Sequence, residues 1–232
     1  MAGRRLPVIT VLLGLLVLPP PAATAGARDP ASFKVGIQPL GSYREVDARV
    51  VRQALRDVYG FDVRILEPLA MPPVAYYKPR NRHRADRLLA VLDGLRQEAA
   101  RACELVVGLT RQDISTTKGD VKDWGIFGLG QIHGTACVVS AYRLIRGLGK
   151  KEADKGLRRV VKVAIHEVGH VLGLHHCPTP GCVMNDAEGT VKTVDRETGL
   201  LCPACQRFLR ARFAFPEGHS FDMRWEAWLG SP

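Results

Sequence analysis

Residues 166–176 read HEVGHVLGLHH, and this pattern of histidines restricts the possible folds of the chain more than any other feature. His166 and His170 lie four residues apart, so on a helix both imidazoles project from one face and reach a single metal ion. Apolar residues at helical spacing precede them, which predicts one long helix over residues 150–174. An HExxH segment alone also occurs by chance on amphipathic helices, where the two histidines only form a polar face.

The residues that follow His170 supply a third histidine. Gly173 permits a left-handed backbone conformation that ends the helix and turns the chain, so that His176 completes a set of three nitrogen ligands. His175 has a different offset from Gly173, and we interpret it as a neighbour of the site. Three neutral imidazoles leave one position open on Zn²⁺, as in catalytic zinc sites, and Glu167 is placed there to take a proton from water.

Four cysteines follow the histidines with the spacing C-x4-C-x19-C-x2-C. Two short-spaced pairs are typical of a structural zinc site with four thiolates, and two disulfides are the alternative that spacing leaves open. The last pair also matches a redox CxxC, but the βαβ setting of thioredoxins is absent. The four residues are Cys177, Cys182, Cys202 and Cys205. Met184, eight residues after His176, is a candidate for a turn whose thioether lies under the three imidazoles, with an ordinary buried methionine as the alternative.

Hydrophobic patterning predicts an α+β fold, in which a mixed sheet carries packed helices. The sequence contains neither an internal repeat nor a low-complexity linker, so we expect one compact domain. The predicted strands span residues 33–40, 61–70, 104–110 and one or two segments within 125–141. The predicted helices span residues 43–59, 83–103 and 150–174, with Gly60 ending the first. Residues 71–82 and 111–124 are predicted to be loops, and residues 142–149 a connection.

The N-terminal segment has the organisation of a secretory signal. Arg4 and Arg5 precede an apolar run over residues 6–18, three prolines follow, and Ala23-Thr24-Ala25 is a small-residue cleavage site. This predicts a signal peptide over residues 1–25 and export to the periplasm or the exterior. The alternative is a membrane anchor, but the run is shorter than the ~18 apolar residues of a spanning helix, so we expect no stable membrane insertion.

The charge of the chain is strongly positive, which favours acidic partners or anionic surfaces but says nothing about the fold. Lys and Arg number 33 against 23 Asp and Glu, a formal net charge of +10. The hydrophobic content of 46% excludes wholesale disorder. Basic residues are scattered and no nucleic-acid-binding motif is present, so we expect no nucleic-acid partner. A non-catalytic, zinc-stabilised binding or interaction protein is nevertheless the alternative to an enzyme.

The segment HEVGHVLGLHHCPTPGCVMN, followed downstream by CPAC, resembles the archaemetzincins, a metzincin-clan family of metallopeptidases. The family pattern is HExxHxxGxxHC-x4-C-x-M with a later CxxC, and every position of it matches. The blocks ELVVGLTRQDI, FGLGQIHGTACVVSAYRL and YYKPRNRHRADRLL also resemble the family. The resemblance covers roughly residues 33–213. The predicted signal peptide departs from the family, since most of its members lack one.

The resemblance implies a fold and a set of metals. The fold is a metzincin-like zincin catalytic domain, with a mixed twisted sheet, an active-site helix and a zinc-knotted C-terminal part. Within a single domain over residues 26–232, the upper part covers about 30–173, the lower part about 174–215, and a C-terminal tail 216–232. Two Zn²⁺ ions are implied, a catalytic one on His166, His170 and His176 and a structural one on Cys177, Cys182, Cys202 and Cys205.

The resemblance also implies an activity, the zinc-dependent hydrolysis of peptide bonds with a water activated by Glu167. It suggests aminopeptidase-like action on small peptides, with a peptide or protein as the substrate partner and a monomeric enzyme. The glycine-rich residues 124–133 become the candidate edge strand that pairs with substrate, with a plain buried strand as the alternative. An inactive module that keeps its metals is a further alternative, which the intact Glu167 and histidine triad disfavour.

Two cysteines remain outside the predicted metal sites. Cys103 and Cys137 begin strands that the resemblance makes parallel neighbours, which would bring their sulfurs near each other. A disulfide is one interpretation, although bridges between adjacent parallel strands are geometrically awkward. Two buried thiols are the other interpretation.

Overall fold

The computed structural model describes residues 26–97 and 102–229. The predicted signal peptide, residues 1–25, lies outside the described residues. None of the helices in these two described ranges combines the length and the apolar character needed to cross a bilayer.

Strands and helices alternate over the first two thirds of the chain, and helices and turns make up the last third. The strands are β1 (Lys34–Leu40), β2 (Asp62–Ile65), β3 (Tyr76–Tyr77), β4 (Arg82–Arg84), β5 (Leu105–Thr110), β6 (Ile114–Lys118), β7 (Val121–Ile126), β8 (Gly128–Gly130) and β9 (Ala136–Ser140). The helices are α1 (Glu45–Tyr59), α2 (Ala85–Gln97), α3 (Ala141–Leu144), α4 (Ala153–Val171), α5 (Val191–Arg196), α6 (Pro203–Arg210) and α7 (Trp225–Leu229).

The main sheet has the strand order β2-β1-β5-β9-β8. Its first four strands are parallel, and β8 is antiparallel to β9. Strands β5 and β9 are buried along their whole length, as expected for parallel strands covered by helices on both faces. The α+β prediction with a mixed sheet is therefore confirmed.

A second, four-stranded sheet has the order β3-β4-β6-β7. Its strands β6 and β7 form an antiparallel hairpin, so the prediction of a polar loop over residues 111–124 is wrong. The sequence ISTTK in β6 is buried at its start and exposed at its end, and β7 is partly exposed throughout. Patterning by hydrophobicity fails here because these strands have little apolar core to face.

The predicted helices are present, with shorter ends. Helix α1 ends at Gly60, which adopts the left-handed conformation with φ 69° as predicted. The prediction of a helix over residues 83–103 extended too far, since residues 82–84 form β4 and residues 102–104 are not helical. The long helix predicted over residues 150–174 is α4, preceded by a single 3₁₀ turn at Lys150–Glu152.

Two hydrophobic clusters cover the two faces of the main sheet. The larger contains the buried faces of α1, α4 and α6, and the smaller contains the buried face of α2. Cys137 belongs to the larger cluster and Cys103 to the smaller, so the two thiols point to opposite faces and form no disulfide with each other. Strands β5 and β9 are parallel neighbours, as expected, but Cys103 lies before the first residue of β5, and its side chain packs on the face opposite to that of Cys137.

One buried hydrogen bond connects α1 to the helix that carries the histidines. The hydroxyl of Tyr59, which is fully buried at the end of α1, donates to the main-chain carbonyl of Ile165 at 2.8 Å. Ile165 directly precedes His166, so the bond fixes α4 against α1 next to the candidate metal site.

Removing this hydroxyl tests its contribution to stability. We expect Tyr59→Phe to lower the free energy of unfolding by about 1–2 kcal/mol, because a buried carbonyl then loses a hydrogen-bond partner. Urea unfolding of the metal-loaded protein measures the change. Tyr142→Phe is the matched control, since Tyr142 is 43% exposed, and it should leave the unfolding midpoint in place. Equal effects of the two substitutions would contradict this role of Tyr59.

Candidate metal centres and the cleft between them

The three predicted histidine ligands come together at the C-terminal end of α4. One ligand nitrogen from each of His166, His170 and His176 lies within 4.8 Å of the others. The ring centroids are 4.5, 4.9 and 5.3 Å apart. His175 lies beside this group at the cleft wall without joining it, as the sequence predicted.

Hydrogen bonds fix the tautomer of the two helical histidines. The Nδ1–H of His166 donates to the carbonyl of Val183, and the Nδ1–H of His170 donates to the carbonyl of Leu174, each at 2.8 Å. Because a carbonyl oxygen only accepts, the proton is on Nδ1 and the lone pair of Nε2 faces the metal position. Burial lowers the pKa of His166 to about 3 and also lowers that of His170. Both rings are therefore neutral at physiological pH.

This donor set fits a zinc ion. Two nitrogen ligands of tetrahedral zinc are roughly 3.3 Å apart, and the three imidazoles need only small side-chain adjustments to reach that spacing. A zinc ion held by these three side chains would border the cavity that they line, where water and substrate could reach it. Open tetrahedral coordination by three imidazoles is the arrangement of catalytic zinc sites.

His176 reaches the group because of the turn at Gly173. Gly173 has φ 99°, and its N–H donates to the carbonyl of His170. A Cβ atom at this position would lie 2.3 Å from the ring of His133, so neither the conformation nor the space accepts another residue. Nδ1 of His176 is 3.6 Å from a carboxylate oxygen of Asp186, which places an acidic group beside the ring.

Glu167 lies between α4 and the edge strand β8. Its carboxylate accepts a hydrogen bond from the N–H of Gly130, and burial raises its pKa to about 8. A Cβ atom on Gly128 would lie 2.5 Å from Oε1 of Glu167. Because Gly128 and Gly130 have no side chains, β8 leaves room for the Glu167 carboxylate and determines where that carboxylate lies.

The four cysteines of the second predicted site also come together. Their sulfurs lie within 4.8 Å of one another, with Cys177 to Cys202 at 3.6 Å and Cys182 to Cys205 at 3.8 Å. Thiolates on a tetrahedral zinc ion at ~2.3 Å lie ~3.8 Å apart, whereas disulfide sulfurs are ~2.05 Å apart. The geometry fits four metal ligands, and it contains no disulfide among these residues.

Close packing couples the protonation of Cys182, Cys202 and Cys205. The hydrogen bond between the sulfurs of Cys182 and Cys205 lowers the pKa of Cys182 to about 5 and raises that of Cys205. One thiol of this group therefore loses its proton readily, and its neighbour keeps its proton until a metal cation binds among the sulfurs.

Met184 connects the two centres. Its carbonyl accepts from the N–H of Cys177, and its buried sulfur packs on α4 at Gly169, where a Cβ atom would lie 2.5 Å away. The predicted turn at Met184 thus lies against the helix between the two helical histidines.

A cavity of about 730 Å³ opens beside the histidines. Strand β8 forms one wall, with its free edge at the end of the main sheet, and the hairpin β6–β7 forms another. The segment predicted as one edge strand, residues 124–133, is thus divided between two sheets. Trp124 lies in β7, and only Gly128–Gly130 occupies the edge.

Sequence patterns did not reveal several residues that shape this site. Gly128 and Gly130 lie in the glycine-rich segment predicted as an edge strand, but their position beside Glu167 follows only from the register of β8 on β9. Asp186 and Glu197 also line the cavity, yet neither lies at a recognisable offset from the histidines. Their place in the cavity lining is visible only in the three-dimensional structure.

Comparison with known proteins agrees with this geometry. A sequence model described as Peptidase family M54 matches residues 62–211. The archaemetzincin of Halobacterium salinarum is 34% identical to this chain, over 75% of the chain and 98% of the relative. The archaemetzincin of Haloarcula marismortui is 36% identical, over 75% and 97%.

Solved structures give the same result. The crystal structure of archaemetzincin from Archaeoglobus fulgidus, complexed with malonate, superposes with a TM-score of 0.62 at 28% identity and covers 76% of this chain and 99% of that chain. Archaemetzincin from Methanopyrus kandleri gives a TM-score of 0.65 at 28% identity, with coverage of 78% and 94%.

The state of the cysteine site is open to direct test. We expect chelation of the native protein to release four thiols that react with a thiol reagent, because the quartet has no disulfide to retain them. The buried Cys103 and Cys137 should react only after denaturation. Cys137→Ser, as the control, should leave the chelator-dependent number unchanged. Recovery of no quartet thiols under non-reducing, denaturing conditions would show two disulfides instead.

Proposed function

This chain belongs to peptidase family M54, the archaemetzincins, and is a zinc metallopeptidase; from that premise we propose that it cleaves small peptides with Glu167 as general base. The observation that carries the proposal is the position of Glu167. Its carboxylate lies in the cleft beside the three imidazoles and is held by β8.

Zinc bound by the three histidines supplies a Lewis acid that makes water acidic and polarises the substrate carbonyl. Glu167 takes a proton from the attacking water and then passes that proton to the nitrogen of the leaving amine. A dication beside this carboxyl favours its charged form, which opposes the effect of burial on the pKa. The N–H of Gly130 keeps the carboxylate in place during both transfers.

The shape of the cleft supports small peptides and free N-termini as substrates. Trp124 on the hairpin lies over Gly189, where a Cβ atom would be 3.6 Å from the indole. The hairpin and the loop after Met184 therefore approach each other across the cavity. This contact favours a short peptide, and aminopeptidase-like action, over a folded protein.

Two zinc ions per chain and a monomeric enzyme are part of the same proposal. The two groups of ligands, three histidines and four cysteines, support the metal count. We further propose that the enzyme is exported, since residues 1–25 have the order of a secretory signal.

Replacing the proposed base tests the mechanism. We expect Glu167→Ala to lower kcat by roughly 10²–10⁴-fold, the usual contribution of general acid–base catalysis, while both metals remain bound. Cleavage of a peptide library, with free and with acetylated N-termini, and metal analysis of the same samples provide the measurements. Hydrolysis at the wild-type rate by Glu167→Ala would exclude Glu167 as the base. Equal cleavage of acetylated peptides would exclude aminopeptidase action.

Filling the space beside the carboxylate gives a second test. We expect Gly128→Ala to displace Glu167 and to lower kcat/KM at least roughly tenfold without loss of metal, because a misplaced base is a poor one. Gly94→Ala is the control, since a Cβ atom at Gly94 in α2 meets no atom within 4 Å. Steady-state kinetics on one peptide compares the two variants. A Gly128→Ala enzyme as active as Gly94→Ala would contradict the proposed role of β8.

A further inference from the structure

Glu197 is a buried acidic residue that the hydrolytic mechanism does not use. It follows directly after α5, is only 6% exposed, and lines the same cavity as His166 and Glu167. A carboxylate in such a position normally has a cation or several N–H donors beside it.

Within the described part of the chain, the carboxylate of Glu197 receives neither a hydrogen bond nor an ion pair. The nearest cation, the ammonium of Lys162, instead donates to two main-chain carbonyls, that of Val194 at 2.9 Å and that of Glu197 at 2.5 Å. The attraction of Lys162 lowers the pKa of Glu197, but burial has the larger effect and raises it to about 8. The carboxyl therefore lacks the partner that would stabilise its charge.

The position of Glu197 relative to the histidines is set by helix geometry. Lys162 and Val163 lie about one turn before His166 on α4, which corresponds to roughly 5 Å along the axis. Contact with Lys162 places the end of α5 at that level. The apolar side chains of Val163 and Val194 line the cavity at the same level. A carboxyl beside apolar side chains suits the four-carbon stem and ammonium of lysine, or the similar arginine side chain.

The charge of the cavity supports the same ligand. Three carboxyl groups, those of Glu167, Asp186 and Glu197, line it, with Lys118 as the lysine in its wall. The chain as a whole has a formal charge of +10. The lining therefore offers three acidic side chains against one lysine in a basic protein, and an incoming cation favours the charged form of the Glu197 carboxyl.

We propose that Glu197 forms the base of a specificity subsite that binds the basic side chain of the substrate residue next to the scissile bond. The proposal rests on the peptidase function given above and adds the class of substrate. In this subsite, the carboxylate of Glu197 binds the substrate by forming an ion pair with the ammonium or guanidinium group of the substrate side chain.

Two peptides that differ only at the residue flanking the scissile bond, lysine in one and norleucine in the other, test the proposal. We expect the zinc-loaded enzyme to cleave the lysine peptide with a kcat/KM at least about tenfold higher, because a buried carboxylate discriminates strongly against an uncharged partner. Glu197→Gln keeps the shape and removes the charge, so it should abolish the preference by lowering kcat/KM for the lysine peptide to that for the norleucine peptide. Glu188→Gln is the matched control, since Glu188 is exposed and lies outside the cavity lining.

Calorimetric binding of the same peptides to Glu167→Ala protein gives a readout that does not depend on turnover. Tighter binding of the lysine peptide to Glu167→Ala, and loss of that difference in the Glu167→Ala, Glu197→Gln double variant, would support the subsite. This holds even if the wild-type enzyme hydrolyses no peptide. Absence of hydrolysis would overturn only the proposed hydrolytic function. Cleavage without a basic preference, or a preference that Glu197→Gln leaves intact, overturns the subsite and leaves the peptidase function standing. If the enzyme neither cleaves nor binds either peptide, both the subsite and the peptidase function are overturned.

Discussion

The hydrogen bond from Nδ1–H of His166 to the carbonyl of Val183 connects the active helix to the loop on which the rest of the site depends. Val183 is preceded by one cysteine of the quartet and followed by Met184, whose carbonyl pairs with Cys177. A single short segment therefore orients an imidazole, supports α4 through the Met184 sulfur and supplies a thiolate. Because Cys177 adjoins His176, the cysteine site also determines where the third imidazole lies. The cysteine group and the histidine group are therefore connected through one short segment of the chain.

Burial produces the chemistry of the cleft. It keeps His166 and His170 neutral, which makes them ready metal ligands without competition from protons. The same burial raises the pKa of Glu167 and Glu197, two carboxyls that share a cavity but differ in their surroundings. Glu167 has an N–H donor and adjoins the metal position, whereas Glu197 lies among apolar side chains one helical turn away. The first is suited to proton transfer and the second to binding a cation.

Local sequence spacing was sufficient to predict the parts of the site that lie on continuous segments. The i, i+4 offset of His166 and His170, the glycine turn and the paired cysteines each depend on a few neighbouring residues, and the structure brings these side chains together. The hairpin at residues 111–124 was missed because its strands are held by pairing and have weak apolar patterning. The cysteine pair Cys103 and Cys137 shows the same limit, since adjacency of strands could be inferred but the face of each thiol could not.

Residues brought in by tertiary contact shape the cleft beside the histidines. The catalytic positions are close in sequence, so a spacing motif describes them, but the cleft wall is assembled from β7, β8 and the end of α5. Two of these elements are positioned by contacts with distant parts of the chain. Strand β8 is positioned by its register on β9, and α5 by hydrogen bonds from Lys162 to the carbonyls of Val194 and Glu197. A change of side chain at Glu197 alters the cavity without replacing a histidine or Glu167 on α4. Substrate preference can therefore change within this fold while the metal-binding and proton-transfer residues stay the same.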